Sequence, residues 1–149
     1  MSSQPDNEQF SVSLGAPNGT ILRCGPALQR DHDGYEYISF WMSVEADGLE
    51  AKSLVCTIEG GTGPYCLTQF LRELSDDWRG EVAARDFESF RHEFSIAATR
   101  DSLGHVVLRV TLRQSDLLDA WVVQVEVQVD AGEAMAQFAR EIQQLLDSA

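Results

Sequence analysis

The residues of this chain with chemistry suited to catalysis or metal binding are three histidines, three cysteines and a few close carboxylate pairs. His32, His92 and His105 make no H-x-x-x-H or H-E-x-x-H pattern, the spacing that would put two imidazoles on one helix face. His92 and His105 fall on neighbouring strands of a predicted hairpin, about seven residues apart along the ladder, or roughly 23 Å. They cannot share an ion, and no metal is expected. His92 shares its predicted face with Phe90 and Phe94, which marks it as a core or core-edge histidine.

Cys24, Cys56 and Cys66 are an odd number with no C-x-x-C spacing, the pattern of reduced thiols in a cytoplasmic protein. Cys66 stands near the start of a predicted helix, the kind of place where a thiol becomes nucleophilic. With His92 it defines one candidate site, a small-ligand pocket between sheet and helices. No G-x-S-x-G elbow is present, and Gly60-Gly61-Thr62-Gly63 lacks the Lys and hydroxyl of a phosphate loop. The pairs Asp31/Asp33 and Asp76/Asp77 lie on a polar connection and on the wet side of a helix, whereas acid–base work needs carboxylates across a cleft. Asp31-x-Asp33-Gly34 opens like a calcium loop, but the position of the closing Glu is Met42. No cofactor and no enzymatic activity are expected.

A different kind of site comes from aromatics. The strand predicted over 35–44 turns Ile38, Phe40, Met42 and Val44 to one face and Tyr35, Tyr37 and Trp41 to the other. Tyr and Trp are favoured at interface centres because each offers a large apolar body with a polar handle. Tyr35, Tyr37 and Trp41 are therefore the candidate partner-binding residues.

These residues must be positioned by recognisable elements. Period-two alternation predicts strands at Phe10–Leu14, Thr20–Cys24 (ended by Gly25-Pro26), Tyr35–Val44 and Leu49–Ile58, the last two joined by Asp47-Gly48. The period then changes. Leu67, Phe70, Leu71, Leu74 and Trp78 make one stripe of an amphipathic helix that takes Pro64 in its first turn and ends at Gly80. Three further strands follow. One carries Phe90, Phe94, Ile96 and Ala98 inward with Arg91, Glu93, Ser95 and Thr99 outward, a second runs over 106–112, and a third spans Trp121–Val129. Asp130 with Glu133 resembles a capping box, and Met135, Phe138, Ile142 and Leu145 or Leu146 form the stripe of the final helix.

The order ββββαβββα predicts an α+β fold: one curved, mainly antiparallel sheet of about seven strands with two helices on one face. Residues 1–149 read as a single domain without an internal repeat, and residues 1–8 as a frayed tail. The chain is long enough to bury roughly 68–70% of its unfolded surface without staples. Eleven basic residues against 24 acidic give a net charge of −13. That balance excludes nucleic acid and anionic membrane as partners, since both need clustered Lys and Arg. No apolar run approaches the roughly 18 residues of a membrane span.

Three segments resemble a known family. They are Leu67-Thr68-Gln69-Phe70-Leu71-Arg72-Glu73-Leu74-Ser75-Asp76-Asp77-Trp78-Arg79-Gly80, the strand Gly104-His105-Val106-Val107-Leu108-Arg109-Val110-Thr111-Leu112-Arg113, and the run from Trp121 through Gly132-Glu133. Over about residues 60–147 the chain resembles a small bacterial family of unknown function, domain of unknown function 6228. The resemblance implies no activity and no catalytic residue.

The function expected is a non-enzymatic, acidic protein-binding module of the bacterial cytosol. An immunity-type protein that captures a basic domain by charge steering fits, as does a secretion-chaperone-like protein that dimerises. The alternative is a ligand-binding or enzymatic domain with its pocket near His92 and Cys66, and a purely structural homodimer fits almost as well as either.

Overall fold

A computed structural model of the chain describes residues 10–31, 36–60, 63–76, 84–100, 103–115, 117, 119–130 and 132–148. The expected 1–8 tail, His32, Tyr35, Trp78 and Gly80 lie outside the described residues. The elements are β1 (Val12–Gly15), β2 (Ile21–Asp31), β3 (Glu36–Ala46), β4 (Leu49–Glu59), α1 (Leu67–Asp76), β5 (Ala84–Glu88), β6 (Phe94–Arg100), β7 (His105–Arg113), β8 (Val122–Asp130) and α2 (Glu133–Asp147).

The α+β class and the antiparallel pairing agree with the sequence, but the single sheet does not. The described residues form two four-stranded meanders, β1-β2-β3-β4 and β5-β6-β7-β8, each followed by a helix. The same order of elements therefore occurs twice, although no repeat is visible in the residues. The additional strand is β5, where only Phe87 supplies an inward apolar side chain. One apolar residue is too few to show a period of two. β2 also runs on past Gly25-Pro26, because bulges between Cys24 and Ala27 and between Ala27 and Gln29 absorb the break.

One hydrophobic core joins all of this. The inner faces contribute Leu22 and Cys24 from β2; Ile38, Phe40, Met42 and Val44 from β3; and Ile96, Leu108, Val110 and Leu112 from the second sheet. On α1, Leu67, Phe70, Leu71 and Leu74 are buried, and on α2 Met135, Phe138, Ile142, Leu145 and Leu146. The stripes fall at helical spacing, so each helix turns one face to the core. The two helices pack on one another; α1 also touches β4 and β5, and α2 touches β1, β2 and β8. Burying a Phe or Leu of this kind contributes about 1.5–3 kcal/mol.

One local expectation, the capping box of Asp130 with Glu133, fails at the second helix. Asp130 pairs with His105 as the last rung of β8, and the N-cap of α2 is Gly132, with no side-chain cap hydrogen bond. A residue held in a ladder cannot also take the cap position of a helix beginning at Glu133.

Gly25 marks where β2 passes closest to other chain. Its φ is +114°, and a Cβ there would stand 2.7 Å from the Phe10 carbonyl oxygen and 3.1 Å from Leu145 Cδ1. Backbone cannot yield as a side-chain tip can. Gly25→Ala is expected to lower unfolding free energy by about 2–3 kcal/mol, read as a lower urea midpoint; an unchanged midpoint would show that β2 and α2 have room to separate.

Candidate functional site

β4 is the last strand of the first sheet, so among the described residues no strand lies along one of its edges. Buried N–H and C=O groups must still find partners. Loops supply them. Ile58 N–H donates to the Tyr65 carbonyl at 3.0 Å, and the Cys56 carbonyl accepts from Phe90 N–H at 3.4 Å. Further along, the Ser53 hydroxyl reaches the Gln114 carbonyl at 3.5 Å. Phe90 and Gln114 belong to the second half of the chain, so this edge joins the two halves.

The strand ends in a buried carboxylate. Glu59 continues the inward face of Ala51, Ser53, Val55 and Thr57 and is 7% exposed. Its Oε2 accepts from Leu67 N–H at 2.9 Å. Its Oε1 accepts from Thr68 N–H at 3.2 Å and from the Thr68 hydroxyl at 2.6 Å. The Cys66 thiol lies 3.4 Å from the same oxygen. A side chain seven residues before Cys66 thus caps α1, matching a full negative charge to the positive end of the helix. Cys66 is itself the residue before the helix, and its carbonyl accepts the Phe70 N–H at 3.2 Å. It is a buried thiol lining a recess of about 340 Å³ whose walls also include Glu36, Thr68, Arg72 and Gln143.

His92 is elsewhere and is not a core residue. The expected strand begins at Phe94 rather than Phe90, and 89–93 is a tight turn in which His92 has φ 67°. His92 N–H donates to the Ser89 carbonyl at 3.0 Å. The ring is 55% exposed, with Nδ1 3.1 Å from Glu88. It does not line the recess beside Cys66, so the structure does not bring His92 and Cys66 together in that pocket. Glu93, expected to face outward, is buried and accepts the Ser89 hydroxyl. That hydroxyl also takes the Phe94 N–H at 3.1 Å. The turn needs this network, and its backbone reversal is why alternation cannot be carried through it.

The same turn builds the aromatic surface. Phe90 stands edge-on to Tyr37 at 5.9 Å and to Tyr65 at 5.5 Å. Tyr37 and Trp41 lie on the outer face of β3, as the alternation requires, and both are half-buried. Lys52 Nζ sits 4.7 Å from the Trp41 ring centre, a cation–π contact. Across the ladder from Tyr37, Ser39 and Trp41 stand Ile58, Cys56 and Leu54, and Leu54 and Phe90 are exposed. Burial pushes the Cys56 thiol up and Glu93 adds to this, while a Ser39 hydrogen bond and Arg91 oppose it. Phe90, Tyr65, Leu54 and Ile58 join Tyr37 and Trp41 as site residues that the sequence did not single out. Only register could have found Leu54 and Ile58, and only the turn geometry could have found Phe90.

This architecture is an α+β protein of two antiparallel meanders, each closed by a helix, with an aromatic band on the outside of the first sheet. The chain belongs to DUF6228, a family of unknown function whose model matches residues 18–149. No curated protein matches it. A solved structure described as crystal structures of Trypanosoma bruciei MRP1/MRP2 is similar over 98% of this chain and 95% of that one, at 13% identity and a TM-score of 0.43. Among the described residues no cluster of three or more His, Cys, Asp or Glu could hold a metal, and no helix is long and apolar enough to cross a membrane.

Two outcomes follow. Glu59→Ala is expected to cost about 2–4 kcal/mol through the orphaned Leu67 and Thr68 donors, with Glu59→Gln recovering part of the loss because one carbonyl oxygen remains; equal losses in denaturant titrations would contradict the capping role. Cys24, wholly buried, has its thiol pushed from 9.0 up to about 12 by burial. The unfolded chain then releases this proton first, so stability falls as pH rises from 9 toward 12, at up to roughly 1.4 kcal/mol per pH unit. The alkaline decline should be shallower in Cys24→Ala; identical slopes would count against it.

Proposed function

We propose that this chain is a protein-binding module whose docking surface is the outer face of the first sheet, centred on Trp41 and Leu54. The observation that carries this reading is the face itself. Trp41 and exposed Leu54 sit directly opposite one another in the ladder, and the aromatic trio Tyr37, Phe90 and Tyr65 continues the band at one end. A three-ring cluster fixed by edge-on contacts loses little freedom on binding, and a large side chain such as Trp41 can seat in a partner's pocket.

The partner's chemistry follows from charge. The chain carries −13, and its one lysine, Lys52, is already engaged with Trp41. Glu45 and Glu50 face each other at the far end of the same pair of strands. A partner with an apolar centre and a basic rim is complementary, and the long-range field would speed its approach. An immunity-type or chaperone-like role is the biological form of this reading. The pocket alternative loses support, because its two residues stand in different settings: His92 in an exposed turn and Cys66 inside a helix cap.

The test is affinity capture from a lysate of the source organism at low and moderate salt, comparing wild type with Trp41→Ala and Leu54→Ala. Expected is a stoichiometric basic protein, retained less well at moderate salt and lost with either variant while their unfolding midpoints stay within a few degrees of wild type. A partner held equally by both variants would place the interface elsewhere.

A further inference from the structure

The two sheets treat their outermost strands differently. At one end of β4 the outward Cys56 carbonyl and Ile58 amide are bonded to loop backbone. β8 is the last strand of the second sheet, and among the described residues no strand lies along its other edge. Which of its residues face that edge can be read from the ladder. Gln114 N–H donates to the Trp121 carbonyl at 3.0 Å, and hydrogen-bonded and non-bonded pairs alternate along an antiparallel ladder. Trp121, Val123, Val125, Val127 and Val129 therefore turn their backbone groups toward β7. Val122, Gln124, Glu126, Gln128 and Asp130 turn theirs to the open edge, and all five are exposed. Nine residues with no proline, no bulge and one interior charge make an edge ready to pair.

The sequence of β8 says with what. Outward from Glu126 it reads the same both ways: Val125 and Val127, Gln124 and Gln128, Val123 and Val129. A two-fold axis through Glu126 would set every outward backbone group of one β8 against an outward group of a second, in the parity that antiparallel bonding requires. On the outer face Gln124 would meet the second copy's Gln128. On the inner face the half-buried Val123 and Val125 would meet buried valines Val129 and Val127. At the axis the two Glu126 carboxylates approach one another. Each is held by its own Arg109, Nη2 at 2.8 Å and Nε at 3.2 Å, so the row of four charges is neutral.

We infer that β8 pairs antiparallel with β8 of a second copy of this chain, joining two four-stranded sheets into one of eight strands about an axis through Glu126. The surface is separate from the Trp41 band and does not depend on it. Mutual repulsion of two chains of charge −13 makes the dimer tighter at moderate than at low salt.

Sedimentation equilibrium of the full chain at roughly 0.15 M salt tests this with two charge designs. Gln124→Lys with Gln128→Lys places lysine against lysine across the axis, and should weaken the dimer about tenfold or more. Gln124→Lys with Gln128→Glu places lysine against glutamate in this register alone, and should restore or exceed the wild-type affinity. Both pairs are at exposed sites, and circular dichroism checks that they fold. Wild type that stays monomeric up to about 1 mM, or two designs that change the affinity alike, would overturn the proposal.

Discussion

The free edge of β4 is the constraint on which the arrangement depends. A rim strand cannot leave its N–H and C=O groups dry and unpaired, and at the buried end of β4 two of them are met by backbone from outside the sheet. Ile58 takes the Tyr65 carbonyl and Cys56 takes the Phe90 amide. Glu59, at the strand's end, takes the first amides of α1. One strand thereby fixes the start of the first helix, the turn between β5 and β6, and through them the seat of the second sheet on the first. The shared core follows, since α1 then reaches β5 as well as β4, and α2 reaches back to β1 and β2.

The surfaces inherit this logic. Anchoring Phe90 at Cys56 puts its ring between Tyr37 and Tyr65, so the aromatic band is a by-product of closing an edge. The outer face of the second sheet has another character. Arg109 with Glu126 and Thr111 with Gln124 pair across its ladder, and its rim strand has no such cover among the described residues. The aromatic band thus lies with the first sheet and the open backbone edge with the second, two surfaces suited to two different contacts.

What was legible in the sequence is what depends on nearest neighbours along the chain. Ile38 to Val44 alternates because β3 is central and covered on one face only. Leu67, Phe70, Leu71 and Leu74 follow helical spacing, and the valines of β8 alternate cleanly with Gln124, Glu126 and Gln128. Two sheets in place of one were not legible, because alternation tells which face a residue takes and not which strand lies beside it. β5 was missed for having Phe87 as its sole apolar anchor, and the end of β2 for bulges that periodicity cannot carry across. For the site, Tyr37 and Trp41 were readable from parity, and so in principle was Glu59, which shares the parity of Val55. His92 was misplaced because nothing local announces that 89–93 reverses. The left-handed backbone of His92 and the Ser89–Glu93 contact are products of the fold around them.

Native-state hydrogen exchange of individual amides tests the edge closure most directly. If loop backbone seals β4, Ile58 and Phe90 amides exchange nearly as slowly as those of Leu108 and Val110 in the centre of the second sheet, opening only with the whole molecule. Exchange of Ile58 and Phe90 at the rate of exposed turn amides such as Gly48 would show that the two halves are not joined along this strand.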